Sequence, residues 1–483
     1  MPLILTPFRF ANFRLWAGAN LVSVTGSWMQ ILAANWLLLT ATGSAAQMGF
    51  GVLLHALPAL MLGPWAGAIA DLVAARPLLT VTQTLHALLS VMLAVVAVSD
   101  VGAVTPWVYG ASLFAGLIGS VEGPALGRFG STMVDREHLG AALAVGSVSG
   151  SAGRIVGMSI GGILIASAGA GPVFLINAAT FLVVILALIR LRPLPPEMVE
   201  ATPTEEEDSA ASDEPVPSSA LAGLRYLLRD PMVAITLGLA LLLGSLSRNY
   251  QVTMAAMSAG PLEGGADGYG MLSTIFAIGA VVGGLCSARA GKMYGRHLVA
   301  VGLAMSVLQG ISGLAPGMWS FAALLLPIAA AAVVVDTVVA TRLQLDKPLA
   351  IRGRVLAAVG TTGAIAGAVG APMLGWLSDG LGPRAALVAA GLVTTLGCVA
   401  AGFGYGSVAR RNAAKAQQPA RLTHPRPLGT LPVPTPAANA TVPQQARRAA
   451  PEAITPVGRL PLPEPRGEAP APRREPLPVL QPA

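Results

Sequence analysis

Charge is what this 483-residue chain has least of: only 11% of its residues are Asp, Glu, Lys or Arg. That is too little to cover a water-soluble body of this length. Cysteine is nearly absent as well, and Cys286 and Cys398 both fall inside apolar runs, which excludes a disulfide framework or a thiolate metal centre. The five histidines, at 55, 86, 138, 297 and 424, are scattered, so the His, Asp and Glu cluster that a membrane-embedded enzyme needs is missing. Nothing matches G-x-x-x-x-G-K-[ST], so ATP is not the driver and no cofactor is called for. Aromatics are 5% of the chain, and most bases before residue 405 lie in short loops between apolar runs. A basic patch with interleaved rings does not form, and nucleic acid is excluded as a partner. The N-terminus has no short apolar region followed by a small-residue cleavage site, so the first helix itself is expected to direct insertion.

What is there is hydrocarbon. The chain is 54% hydrophobic with a mean hydropathy of +0.68, and about 20 residues in a row suffice to cross a bilayer. Twelve runs qualify: 14–39, 47–70, 77–98, 105–127, 142–167, 172–190, 232–256, 268–289, 297–314, 318–340, 355–378 and 384–405. The bases sit at alternate run ends, among them Arg9, Arg76, Arg190, Arg289, Arg342 and Arg410, whereas the opposite loops hold only Arg384. The positive-inside rule then puts both termini in the cytoplasm. Residues 193–231 contain a Pro, Glu and Ser-rich stretch with the acidic run 205–208 and read as a cytoplasmic linker. The expected organisation is an N-terminal six-helix half over 1–192, this linker, a C-terminal half over 232–405, and a disordered tail over 406–483 that holds 17 of the 38 prolines.

The two halves repeat each other. Glu122 and Arg128 near the inner end of run 4 correspond to Asp336 and Arg342 in run 10, both shifted by 214 positions. A shift of 213 lays Gly162 and Gly169 over Gly375 and Gly382. These are parallel repeats.

At the end of run 2 stand Gly67, Ala70, Asp71 and Arg76, and at the end of run 8 Gly284-Leu-Cys-Ser-Ala288-Arg289-Ala-Gly291-Lys292. This spacing resembles the loop 2-3 signature of the major facilitator superfamily, each copy keeping what the other lost. Arg154-Ile-Val-Gly157-Met158-Ser-Ile-Gly161-Gly162 is similar to the helix 5 signature of drug and proton antiporters, with Met158 in place of proline. Trp16, Ser27-Trp28-Met29, Gly63-Pro64, Asp135-Arg136 and Gly353-Arg354-Val355 further resemble the branch with enterobactin exporters and macrolide efflux pumps. The resemblance implies an all-α membrane protein of twelve transmembrane helices in two halves, with alternating access and a cavity lined by helices 1, 4, 7 and 10. It also implies that Asp71 caps a helix of the opposite half; a solvated stop signal is the plainer alternative.

Residue by residue, Arg154 lies mid-helix, where an unpaired guanidinium costs about 2.5–3.5 kcal/mol and demands a partner. By depth Glu122 is the nearest carboxylate. An Arg154 and Glu122 pair is therefore expected, either as a permanent ion pair or as one that opens while Glu122 carries a proton. Asp336 has no evident partner, and Arg248, placed in the outer half of run 7, reads as too distant; Arg248 and Asn249 face substrate or headgroups. Ser27, Gln30, Asn35 and His55 line a substrate cavity or bond between helices. Gly153, Gly157 and Gly161 in run 5, with Gly367 and Gly375 in run 11, form small-residue faces for static packing or for sliding. The functional reading is a monomeric exporter of small, mainly apolar compounds by proton antiport in a bacterial plasma membrane; its partners are the substrate, protons and the lipid bilayer. A dedicated siderophore or secondary-metabolite exporter is the alternative, and a transport-dead scaffold acting through its tail is the third. An epitope inserted between Ala41 and Gln47 should be labelled on intact cells without permeabilisation; labelling only after permeabilisation contradicts the sidedness.

Overall fold

The computed structural model describes residues 3–99, 103–135, 138–191, 230–289, 295–345 and 352–417, and every regular element among them is helical. A short 3-10 helix, Leu3–Arg9, precedes the first half: α1 (Ala11–Thr42), α2 (Ala45–Leu72), α3 (Ala75–Val98), α4 (Val104–Ser131), α5 (Leu139–Ala168) and α6 (Ala170–Arg190). The second half holds α7 (Pro231–Leu246), α8 (Tyr250–Ala259), α9 (Gly265–Arg289), α10 (Gly295–Ser312), α11 (Met318–Leu345), α12 (Arg352–Leu381) and α13 (Pro383–Gln417). Ten crossings are long and apolar enough to span a bilayer by length and composition, with α7 and α8 counted together. Of the other two, α10 contributes a shorter apolar helix and α12 is 30 residues long. The twelve expected runs all fall on helices.

Two boundaries differ from expectation. The seventh run is not one helix: α7 stops at Leu246, and Ser247, Arg248 and Asn249 interrupt it before α8 begins. Freed carbonyls in lipid must find donors, and the Asn249 amide supplies them, donating to Gly244 O at 3.2 Å and Ser245 O at 3.0 Å. The last helix runs past residue 405 to Gln417. The expected linker, apart from its end at Asp230 and Pro231, and the tail beyond 417 lie outside the described residues.

Local chemistry sets the turns. Gly43, Gly169, Gly265 and Gly382 all have positive φ, between 61° and 84°, a conformation that costs glycine nothing. Following the chain up and down, all four lie at the same end of the bundle. Gly169 and Gly382, matched by the sequence shift, occupy equivalent turns. At the start of α2 the Ser44 side chain accepts from Gln47 N at 3.2 Å, and Asp230 caps α7 by accepting from Met232 N at 2.9 Å.

Within the first half α1 packs on α5 and α6, α2 on α4, and α3 on α6; within the second α9 packs on α11 and α10 on α13. Between the halves, α2 packs on α12 and α5 on α9. Small residues let these backbones approach. A Cβ at Gly157 would stand 2.4 Å from Thr25 O, and one at Gly161 3.2 Å from Met29 Cα, so the α5 glycines press on α1 inside their own half. The cross-half approaches belong to Gly162, whose Cβ would meet Gly270 Cα at 2.5 Å, and to Gly375, whose Cβ would meet Ala45 O at 2.3 Å. Gly146 and Gly150 on α5 and Gly360, Gly363 and Gly367 on α12, nearer the other end, have nothing within 4 Å of that position.

Hydrogen bonds and ring contacts among the described residues join the halves at mid-depth and at the Gly43 end. The halves are closed there, whereas toward the opposite end a Cβ at Gly146, Gly150, Gly360, Gly363 or Gly367 would meet nothing among the described residues. Placing valine at Gly157 should destabilise the detergent-solubilised protein by about 1–3 kcal/mol through overpacking, read as a lowered unfolding temperature. The same change at Gly150 should leave it unmoved, and equal losses at both would contradict the packing described.

Candidate functional site

Two polar centres and a stacked arginine sit at mid-depth. In the first half, the Glu122 carboxylate on α4 turns toward α3, where Gln83 Nε2 donates to its Oε1 and His86 Nε2 lies 2.9 Å from its Oε2. Because a carboxylate oxygen accepts, Nε2 carries the hydrogen. The pair is nearly dry, with 13% and 9% of the His86 and Glu122 side chains exposed, and Phe181 stacks on the imidazole at 5.3 Å. One turn along α3, Ser90 donates to Gln30 Oε1 at 2.6 Å, and Asn177 donates to the same oxygen at 2.8 Å. This buried network is held by α1, α3, α4 and α6.

The expected bond between Arg154 and Glu122 is not made. Depth placed the two groups together, but their helix faces do not, since Glu122 points to α3 and Arg154 points to α1 and α9. The Arg154 guanidinium lies over Trp28 at 4.7 Å and over Phe276 of the second half at 5.5 Å. Its buried Nε has no hydrogen-bond partner among the described residues. Cation–π contacts of this kind stabilise a desolvated cation by about 2 kcal/mol each, which offsets much of its insertion cost. Tyr250 rests on Phe276 at 4.9 Å, and Trp36 stacks on Tyr269 at 6.0 Å, so aromatic side chains from both halves surround the cation.

The second polar centre overturns another expectation. Arg248 Nη1 is 2.8 Å from Asp336 Oδ1, although depth along unbroken helices had kept them apart. The break at Ser247–Asn249 is the reason, because it releases Arg248 from a helical direction and lets the long side chain reach down to α11. This pair is half-exposed, at 40% and 44%, and it borders a cavity of about 220 Å³ with Leu243, Gly244, Thr362 and Gly363. Equivalent carboxylates in the repeat have thus taken unlike partners, a histidine in a dry site and an arginine in an open one.

A cavity of about 310 Å³ in the first half is lined by Trp28, Gln30, Asn35, His55 and Ser112, with Gln251 of α8 closing it from the second half. Asn35 Nδ2 donates to Gln251 Oε1 at 3.3 Å. Gln30, Asn35 and His55 thus line one common cavity. Ser27 is half-buried outside that lining, and Asn249 serves the helix break. Of the loop signature, Arg76 Nη2 donates to Ile189 O at 2.8 Å in its own half, and Arg289 is exposed at the end of α9. Gly291, Lys292 and the surroundings of Gly67 and Asp71 lie outside what is described.

Sequence reasoning missed Gln251, Tyr269 and Phe276, together with Asp379. Asp379 Oδ1 accepts from Ala45 N at 2.8 Å, and its Oδ2 accepts from Ala46 N at 3.0 Å and from Ser44 Oγ at 2.6 Å. The signal was present as a lone acid after the apolar run of α12.

The family described as transmembrane secretion effector matches residues 4–433. Enterobactin exporter EntS of Escherichia coli O127:H6 is 29% identical over 293 residues, 59% of this chain and 65% of that protein. The Shigella flexneri exporter of the same name is 28% identical over 296 residues, with the same coverage. The alignments thus span less than two thirds of these curated relatives. Among solved structures, the nucleoside transporter NupG aligns with a TM-score of 0.63 at 14% identity, covering 84% of this chain and 99% of that one. A D-xylose-proton symporter aligns at 0.62 and 13%, covering 80% and 96%. At such identities the likeness concerns the fold alone. In a thermal-stability double-mutant cycle, Arg248→Ala and Asp336→Asn should couple by about 1 kcal/mol, the low range for touching residues because both are wetted. Strict additivity would show that the ion pair is not formed.

Proposed function

Because the chain belongs to the transmembrane secretion effector family of major facilitator transporters, we propose that it exports small, mainly apolar compounds in exchange for protons. It does so as a monomer in a bacterial plasma membrane, with both termini on the cytoplasmic side. The observation that carries this reading is the Arg248 and Asp336 pair, a half-exposed ion pair at mid-depth that lines a cavity. A charge in a membrane interior is costly and marks a pathway for ions or substrate.

In this state Asp336 is ionised and neutralises Arg248, as fits a carrier that has released its proton inward. When the halves rock and the other end opens, Asp336 takes a proton from outside and lets go of Arg248, and the freed cation biases the return. The dry His86 and Glu122 pair is the second proton site, closed from the cavity in this state and reached through the Gln30 and His55 side of the first-half cavity. The apolar walls and the aromatic ring set around Arg154 suit a small compound with an apolar face. Export of a siderophore is the second reading, favoured by the relatives that are named enterobactin exporters.

Inverted membrane vesicles with an acid interior, offered a panel of dyes, antibiotics and siderophores, test both readings. Uptake should require the gradient, and Asp336→Asn should lower gradient-driven uptake by about tenfold or more, the range of a coupling free energy of 1–3 kcal/mol. Uptake of siderophores alone selects the second reading. Undiminished gradient-driven uptake in both Asp336→Asn and Glu122→Gln contradicts proton antiport through these residues.

A further inference from the structure

Each helix begins with four N–H groups that lack intrahelical partners, and at the start of α2 the accounting of these donors crosses from one half of the protein to the other. Ser44 N reaches Thr42 Oγ1 at 3.2 Å, and Gln47 N reaches Ser44 Oγ at 3.2 Å, both inside the first half. Ala45 N and Ala46 N are met instead by the two carboxylate oxygens of Asp379 on α12, at 2.8 and 3.0 Å. The Ser44 hydroxyl, while accepting from Gln47 N, donates to Asp379 Oδ2 at 2.6 Å. One carboxylate thus receives three hydrogen bonds at the positive end of a helix dipole, the placement that favours an anion most.

The surroundings make this contact specific to the closed end. Four residues before Asp379, a Cβ at Gly375 would collide with Ala45 and Ala46, and on α2 a Cβ at Gly49 would stand 2.4 Å from Ala371 O. Small residues bring α12 and α2 together, and Asp379 then lands on the α2 terminus. When the halves part at this end, all three bonds must break together, and water replaces them less well than a preformed carboxylate does.

We propose that Asp379 is the gating residue that holds this end of the transporter closed, by capping α2 from the opposite half. This assignment rests on the alternating-access reading above. It gives Asp379, at the Gly43 end, the kind of role that the loop resemblance implied for Asp71 at the other.

The test places spin labels at Ala41→Cys and Leu381→Cys, both exposed positions beside the cap, in protein whose Cys286 and Cys398 are replaced by serine and alanine, reconstituted in nanodiscs without substrate. The parent should give one short separation. Asp379→Ala should raise the ratio of a longer separation to the short one by on the order of tenfold, as loss of a charged helix cap does. Asp379→Glu, which keeps the carboxylate, should remain short. If Asp379→Ala fails to elute as a single folded species, the near-isosteric Asp379→Asn takes its place with a smaller shift in the same direction. An unchanged distribution in a folded Asp379→Ala or Asp379→Asn protein, or an equal shift in Asp379→Glu, overturns the proposal. These distances need no transported compound, so a failed export assay and a failed latch are told apart.

Discussion

Hydrocarbon cannot solvate an ion or an unpaired backbone group, and the centre of this protein is arranged around that constraint. Two acids and two arginines stand at mid-depth: Glu122, Arg154, Arg248 and Asp336. Glu122 is satisfied by Gln83 and His86, Arg154 lies between two rings, and Asp336 neutralises Arg248. Each solution uses side chains from a different helix, so the charges help to decide which helices face one another. The break at Ser247–Asn249 follows the same logic, since its open carbonyls are bonded by the Asn249 amide.

These solutions are of unequal permanence. Glu122 sits in a dry site with fixed neighbours. The Arg248 and Asp336 pair is half-wetted, so separating its members exposes each to water instead of to lipid, and the cost of opening it is correspondingly lower. Arg154 spans the halves through Trp28 and Phe276, and any motion of one half against the other must alter that sandwich. The partnered charges and the Arg154 contact that joins the halves therefore share one layer of the bundle, while glycine contacts and a helix cap close one end of it.

Much of the fold was legible because lipid imposes a length rule and an alternation of charge that a sequence displays openly; the twelve runs follow from those alone, and matched residues such as Glu122 and Asp336 add the repeat. The site was legible by depth and not by direction. Counting residues placed Glu122 and Arg154 at compatible depth, yet a helix face turns by about 100° per residue, and faces are fixed only by neighbours far away in the chain. Gln83 and His86, three apart on α3, are polar positions inside an apolar run, but nothing local ties them to Glu122. Arg248 and Asp336 were kept apart by the assumption of an unbroken helix, although the polar Ser-Arg-Asn stretch inside an apolar run was a break signal. Asp379 carried no spacing that pointed to α2, because its partner is a helix terminus 334 positions away.

The central claim is that a closed end and an open end exchange during transport. A disulfide between Ser44→Cys and Asp379→Cys, in a chain without Cys286 and Cys398, would lock the closed end where the hydroxyl and carboxylate now meet at 2.6 Å. The account predicts that oxidation stops export of a compound the reduced protein carries, and that a reductant restores it. Undiminished export by the fully bridged protein would contradict alternating access through this cavity.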